Sequence, residues 1–513
     1  MMSDYVKILW ADDEINLLKS HVIFLEDKGF NVETVSSGEE AFSLCKKNRY
    51  DVVLLDEMMA GMDGIETLQK IKKINPAIPV IMITKNEEEW LMDEAIASQI
   101  SDYLIKPVSP VQIFLSCKKN VDSDKIRTNK MIKQFLDEYN SIQESIKSIS
   151  NIDEWLDMID KIIDWELEID SINDEAIKPF LKDLKNSTDK NFVNYFEKNY
   201  TDLLNSDFFP NKFIKKYLEP SFRSNQKTAL IVLDCLRYDQ AKFLLQKLCS
   251  DFEVKISSAL SFLPTSTQYS RNSIFSGLFP DELKDKFPFE WKQMMENESK
   301  LNHFENIFFK EYLKSNSFDH ISNHYEKIVE LNQGNKLYNK IKEYRSIDCI
   351  SIVVNFIDIL GHSFSKSKII KEIIPNDHSY RKEVLNWFED SWLYKTLIEF
   401  KKNNRKIIIT SDHGTTIVNR PTIIKADKNT SSGLRYKKGI NLNVSNKEGI
   451  LIKNPSDYHL PIASLNENYI IAKPGYYFVY PNDYNKYKNL YINSYQHGGV
   501  SIDELLLPVL ELK

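Results

Sequence analysis

No stretch of the 513 residues approaches the roughly 18 consecutive apolar residues that a membrane-spanning helix needs. The opening segment MMSDYVKILW has neither a basic start nor a long apolar run. Membrane-spanning and exported classes are therefore not expected, and the chain reads as cytoplasmic. Cysteine is scarce. Cys45, Cys117, Cys235, Cys249 and Cys349 are odd in number, far apart and mostly inside apolar runs. That excludes a disulfide framework, gives no Cys-type zinc motif, and predicts buried thiols in a reducing compartment. There is no block of like charge either. The 67 basic and 74 acidic residues are mixed along the chain, so the net charge of -7 predicts no polyanion partner by itself. Internal repeats and low-complexity tracts are absent.

What is present is material for real cores, 42% apolar and 12% aromatic residues, in a length that suits about three domains. Texture divides the chain in the same way. In residues 1–120 short apolar runs (VKILW, DVVLLD, VIMIT, DYLIK) alternate with helical patterns, as in a parallel sheet covered on both faces. In 121–205 apolar residues recur at helical spacing with almost no Gly or Pro, which predicts a helical bundle connector. In 206–513 strand-like runs return (TALIVLD, CISIVVNFID, KIIITSD, YYFVY, LLLPVLEL) in a larger α/β domain. The expected class is α/β multidomain.

The first part carries polar groups at strand ends. Asp12, Asp13 and Glu14 follow the first run, Asp56 closes DVVLLD, Thr84 closes VIMIT, and Lys106 follows the fifth run. In a doubly wound sheet all strands point their carboxyl ends to one edge, so these groups converge on one crevice. Crowded carboxylates repel one another without a hard cation, and Mg2+ suits oxygen ligands that keep several waters. Asp56 is then poised to attack a phosphoryl group, with Lys106 pairing the phosphate and Thr84 hydrogen-bonding it. Taken singly, each is an ordinary surface residue. The set at successive strand ends is what points to chemistry.

These residues, with the turn MMAGMDG after Asp56, resemble the receiver domain of two-component response regulators. The resemblance implies a flavodoxin-like fold, phosphoryl transfer from a histidine kinase to Asp56, and Mg2+ held by Asp12, Asp13, Asp56 and the backbone carbonyl of Met58. Tyr103 stands where that family keeps its switch aromatic, and Ala60 replaces the usual proline of the turn. A DNA-binding output is not expected. No basic recognition helix follows a short turn, and the part after 206 is far too large for a helix-turn-helix.

A second set of strand ends bears metal-ligand residues. TALIVLD ends in Asp234, CISIVVNFID in Asp358, and KIIITSDHG carries Asp412 and His413. His362 is four residues beyond Asp358, so a helical turn there puts both on one face. His497, in SYQHGGVS, precedes the last apolar run and can reach the same edge. Mixed imidazole and carboxylate ligands suit Zn2+ or Mn2+, and six ligands suffice for two ions about 4 Å apart, the usual clamp for phosphoryl displacement. Between these runs, SFLPTSTQYSRNSIFSGLFP offers Thr265, Ser266 and Thr267 ahead of a helical pattern, where the dipole favours an anion. A simple N-cap is the alternative. Arg271 lies one turn beyond Thr267, in reach of the same anion. After His413 comes a basic loop with Arg420, Lys425, Lys428, Arg435, Lys437 and Lys438, which either grips a second phosphate or is a solvated surface loop.

VLDCLRYD, PTSTQYSR, DILGH, SDHG and QHGGVSIDE together resemble the alkaline phosphatase superfamily, most closely its PglZ branch, over residues 226–513. The resemblance implies two zinc ions, one held by Asp234, Thr267, Asp412 and His413, the other by Asp358, His362 and His497. It favours Thr267 as the nucleophile, with Thr265 and Ser266 as neighbouring candidates. A receiver, a helical connector and a PglZ domain in one chain are similar to PorX-type response regulators. That layout implies phosphodiesterase activity on nucleotides or oligonucleotides, a homodimer on phosphorylation, contacts with a sigma factor or a secretion-motor protein, and a role in type IX secretion and gliding. The rival expectation is a phosphorylation-dependent adaptor whose zinc domain is only a scaffold.

Overall fold

The computed structural model describes residues 6–85, 99–172, 176–296, 302–424, 431, 433–464, 466–481 and 484–513. The chain divides into two compact units, Met1–Glu138 and Tyr139–Lys513. Both the expected boundary at 120 and the division at 138 fall inside the 36-residue helix Pro110–Ser145.

The first unit is built on strands β1 (Val6–Ala11), β2 (Phe30–Val35), β3 (Val52–Asp56), β4 (Val80–Thr84) and β5 (Asp102–Ile105). They lie in the order β2-β1-β3-β4-β5, and every pairing is parallel. β3 and β4 are buried along their whole length, as continuous apolar runs in a sheet covered on both faces must be. One cluster, with Leu9, Val53, Leu55 and Met82, packs on one face, and another, with Ile8, Trp10, Leu54 and Ile81, packs on the other. Alternate residues of each strand serve opposite sides. Ser37 and Asp63 cap the helices Gly38–Lys47 and Gly64–Ile74 by accepting from Glu40 N–H and Glu66 N–H. This is the flavodoxin-like arrangement.

The second unit has a six-stranded sheet made of β6 (Thr228–Leu233), β7 (Val254–Leu260), β8 (Asn323–Ile328), β9 (Cys349–Val354), β10 (Lys406–Thr410) and β11 (Leu506–Leu512). Its order is β7-β11-β10-β6-β9-β8, with β10, β6, β9 and β8 parallel and β11 antiparallel to both neighbours. Because β11 runs the other way, its start lies at the edge where the others end. β6 and β9 are buried at every position. At about 1.5–3 kcal/mol per large apolar side chain, packing rather than the polar edge sets where these strands lie.

The connector helices Ile152–Ile172 and Lys178–Leu203 belong to this unit. Their buried faces follow the helical period (Trp155, Ile159, Ile162, Ile169; Phe192, Phe196, Tyr200). Charged contacts dock the first of them on the helices Asp377–Asp390 and Tyr238–Asp251: Arg381 Nη1 to Glu166 at 3.0 Å, and Lys242 Nζ to Asp160 at 2.7 Å.

Candidate active site

All the expected ligands of the second unit meet at one edge of its sheet. Asp234 follows β6, Asp412 and His413 follow β10, and β9 gives way to the helix Phe356–Lys366, which carries Asp358 and His362 in its first two turns. The four-residue spacing has the expected result, His362 Nε2 lying 3.2 Å from Asp358 Oδ1. His497 precedes β11; its ring stacks on His413 at 4.3 Å and meets His362 edge-on at 5.4 Å. Donor atoms of Asp358, His362 and His497 all lie within 4.8 Å of one another. On the other side of the edge, His413 Nε2 is 3.8 Å from Asp234 Oδ1 and 3.8 Å from Asp412 Oδ2.

Thr267 opens the helix Thr267–Ser276, and its Oγ1 lies 2.9 Å from His413 Nε2. His413 Nδ1 faces the Gly414 carbonyl at 3.2 Å, which assigns the ring proton to Nδ1 and leaves Nε2 to accept from the threonine. Of the stretch, Ser266 takes the N-cap position, without a side-chain cap bond among the described residues, which leaves Thr267 as the first helical residue. Thr265 is occupied elsewhere: its hydroxyl donates to Gly499 O and accepts from Gly498 N–H. Gly414 has to be glycine, because a Cβ there would lie 1.9 Å from Asp503 O.

The electrostatics are those of a site built around cations. Asp234 and Asp412 are buried, yet among the described residues Asp234 Oδ1 and Asp412 Oδ2 have no hydrogen-bond partner. Buried carboxylate oxygens without a hydrogen bond are costly unless a cation neutralises them, and Arg271 Nη1 comes no nearer to Asp412 Oδ2 than 3.6 Å, so the donor set fits a metal. Burial pushes the Asp234 carboxyl up to about 7, Arg271 opposing and Asp412 reinforcing the shift. Burial raises Asp412 as well. Burial would also raise Asp358, but the His362 hydrogen bond and the imidazoles of His362, His497 and His413 bring it below the usual carboxylate range. His497 is held down to about 3 by burial and by the neighbouring His413, and burial lowers His413, so both stay in the neutral form that binds metal.

These shifts carry a pH signature. A carboxyl raised from 3.8 to about 7 contributes folded-state stability that is fully present below 3.8 and lost as pH rises through 7. Protein stripped with a chelator should therefore lose thermal stability between pH 6.5 and pH 7.5 more steeply than zinc-loaded protein; below pH 6.5 the lowered imidazoles of His413 and His497 act in the opposite sense. Asp189 and Asp503 are also raised, to about 7 and about 6, and titrate with or without metal. The difference between the two melting profiles reports the ligand groups, carboxylates and imidazoles together, and parallel profiles above pH 6.5 would refute the assignment.

Cys235 was not among the expected site residues. Its thiol is 3.3 Å from Asp358 Oδ1 and 3.3 Å from His413 Nδ1, bridging the two ligand groups, and it clusters with Asp234 and His413. Its adjacency to Asp234 was the available signal; its left-handed backbone, φ 69°, which turns the side chain back under the edge, was not visible.

Three expected substrate contacts are corrected. Arg271 is fully buried and pairs with Asp234 Oδ2 and Glu305 Oε1, each at 2.6 Å, so it balances ligand charge from behind rather than facing a substrate. Arg435 is also fully buried, bound to Glu504 at 2.6 and 2.8 Å and to the carbonyls of Lys473 and Tyr476. Lys437 donates to Ser431 O at 2.9 Å, lies over the Tyr480 ring, and is lowered to about 8 by burial. Both sit on or beside the strand Tyr436–Ile440, in a small antiparallel sheet, where inward positions of a β-strand take the long cations into the packing. Lys425 and Lys428 of the same basic loop lie outside the described residues.

In the first unit, donor atoms of Asp12, Asp13 and Asp56 lie within 4.8 Å of one another. Lys106 Nζ is 3.1 Å from Asp12 Oδ2 and 2.8 Å from Asp56 Oδ1. Burial raises the Asp56 carboxyl against the pull of Lys106. Gly64 allows the backbone to pass close by, since a Cβ there would lie 2.3 Å from Asp56 O. Thr84 is buried, its hydroxyl donating to Glu57, while Met58 and Tyr103 are exposed.

The description BREX system PglZ alkaline phosphatase-like domain matches residues 213–512, response regulator receiver domain matches 8–118, and PorX response regulator linker domain matches 125–204. Among curated proteins, the transcriptional regulatory protein ZraR of Escherichia coli (strain K12) is 40% identical over 108 residues, 21% of this chain and 24% of that protein. SrrA of Staphylococcus aureus (strain NCTC 8325 / PS 47) is 36% identical over 112 residues, 22% of this chain and 46% of that protein. The chain thus spans less than half the length of these relatives. A response regulator receiver domain from Clostridium thermocellum, solved by crystallography, is 31% identical, with 24% of this chain and 98% of that chain covered and a TM-score of 0.22. Since the PglZ description alone spans more than half of the residues, the chain belongs to the PglZ alkaline phosphatase-like family, joined to a receiver and a PorX linker in the PorX-type arrangement.

Proposed function

We propose that this response regulator is a two-zinc phosphodiesterase acting on nucleotides or oligonucleotides, switched by phosphorylation of Asp56. The functional segments are 1–120, 121–205 and 206–513. The observation that carries the reading is the Thr267 hydroxyl, 2.9 Å from His413 Nε2, in the first turn of a ten-residue helix at an edge lined by carboxylates and imidazoles. Asp234, Thr267, Asp412 and His413 would hold one zinc, and Asp358, His362 and His497 the other. Bound there, the metals would supply Lewis acidity toward a phosphoryl oxygen and lower the pKa of the threonine hydroxyl. Attack by Thr267 Oγ1 on phosphorus expels one alcohol of the diester and leaves a threonyl diester that still carries the other; water then displaces the threonine oxygen, freeing the enzyme and releasing a phosphomonoester. The helix N-terminus favours the charge that builds on the phosphoryl oxygens. Arg271 and Asn355, both bonded to Asp234 Oδ2, keep that carboxylate turned to the edge.

The receiver supports the switch. Asp56 takes the phosphoryl group from a histidine kinase, Mg2+ held by Asp12, Asp13, Asp56 and the Met58 carbonyl would neutralise it, and Lys106 pairs with it. Thr84 would leave Glu57 for the phosphate, and the outward Tyr103 would follow, shifting a homodimer equilibrium. The proposed setting is type IX secretion and gliding, with a sigma factor or secretion-motor protein as partner. Asp56→Asn is expected to abolish labelling by a small-molecule phosphodonor and any phosphodonor-induced change in mass by sedimentation. Metal analysis with a panel of mono- and diesters, including linear and cyclic oligonucleotides, tests the activity. Zinc near two per chain with diester turnover is the expected result, and a metal-loaded protein inert toward every ester would overturn it.

A further inference from the structure

The helix Lys178–Leu203 reaches the candidate active site at two points. Asp189, Val193, Glu197 and Tyr200 recur at the spacing that keeps them on one helix face. Tyr200 is fully buried, stacked on Tyr458 at 5.1 Å, and its Oη accepts a 2.9 Å hydrogen bond from Leu263 N–H. Leu263 lies in the loop between β7 and Thr267, four residues before the hydroxyl. Asp189 Oδ1 accepts from Ile502 N–H at 2.8 Å, at the head of the short helix Ile502–Leu505.

That short helix is a hub for the other loops. Leu505 O accepts from Ser261 N–H at 2.8 Å, in the same nucleophile loop. Glu504 O accepts from Gly414 N–H at 3.0 Å, one residue after His413. Glu504 Oε1 accepts from Gly499 N–H at 2.8 Å, two residues after His497. Glu197 adds a 2.7 Å ion pair to Lys473, in the turn between the strands Glu467–Ala472 and Tyr476–Val479. The loops bearing Thr267, His413 and His497 are thus tied to one another through groups that this helix holds from outside the sheet.

We infer that the connector helix is part of the catalytic apparatus, and that Tyr200 and Asp189 are positioning residues that set where Thr267 lies relative to His413 and His497. The inference rests on the proposed diesterase for its kinetic consequence, and on hydrogen bonding alone for its structural one. A small displacement of an attacking atom costs rate out of proportion to stability, because the reacting geometry is tight while the fold has many other supports.

Tyr200→Phe removes one oxygen and keeps the ring in its stack. In the full chain, loaded with zinc, exchange of the amides in 260–268 should accelerate about tenfold, while 228–234 stays as in the wild type. With bis(p-nitrophenyl) phosphate, kcat should fall about tenfold with KM and zinc content unchanged. Asp189→Ala should loosen 497–505, whereas Asp189→Asn, which keeps an acceptor oxygen, should restore wild-type exchange and rate. Unchanged exchange at 260–268 in Tyr200→Phe would overturn the inference, as would full kcat in an enzyme whose wild type is active. If the wild type turns over no diester, the exchange results still decide the matter, and it is the proposed function that falls.

Discussion

Thr267→Ala is expected to lower diesterase kcat/KM by about a thousandfold or more while the protein keeps its fold and most of its zinc. The hydroxyl is the half-buried group presented at the edge, whereas its neighbours have other uses. Thr265 is bonded to Gly498 and Gly499, and Ser266 is buried at the helix cap. Thr267→Ser keeps the oxygen and should retain activity. Steady-state rates, zinc content and melting temperature measured together separate loss of the nucleophile from loss of the site. Equal rates in Thr267→Ala and wild type would show that another group attacks, and an unchanged cellular phenotype with lost turnover would favour the adaptor reading.

The second large effect is on stability. Arg271→Leu should destabilise the metal-free catalytic unit by about 3–5 kcal/mol, the usual result of removing one partner from a buried charge cluster. Asp234 and Glu305 would be left buried without their cation, Asp234 beside the equally buried Asp412. Zinc should recover part of the loss, because it neutralises Asp234 and Asp412 but does not reach Glu305, which Tyr325 also holds. Denaturant unfolding with and without zinc measures both numbers. A substrate-binding arginine behaves differently: its removal raises KM and leaves the unfolding midpoint in place.

The contrast between Thr267 and Arg271 shows where sequence reading reached and where it stopped. Both stand in one stretch, four residues apart, and both chemistries suit a phosphate. A helix start is a local event, written in PTST, so the placing of the hydroxyl was legible. The direction of a long cationic side chain is not local. Arg271 answers to Asp234, 37 residues away, and Arg435 to Glu504, 69 residues away. Nothing near either arginine names its partner. Cys235 was missed for a related reason. Its place between Asp358 and His413 depends on a backbone turn and on two other strands, none of which a single thiol in an apolar run discloses.

The sequence by itself determined the parallel strands of both sheets, though not the antiparallel β11, and which of their ends bear chemistry, because strand period and the polar residue that closes each apolar run are properties of neighbours. It also determined that Asp358 and His362 share a face, since four residues on a helix can do little else. Only the tertiary structure decided which charges are spent on holding the fold, and which loops the connector helix steadies. Those outcomes depend on desolvation and on pairing between distant segments. Burial turns a cation from a substrate contact into a counter-ion, and no local pattern records it.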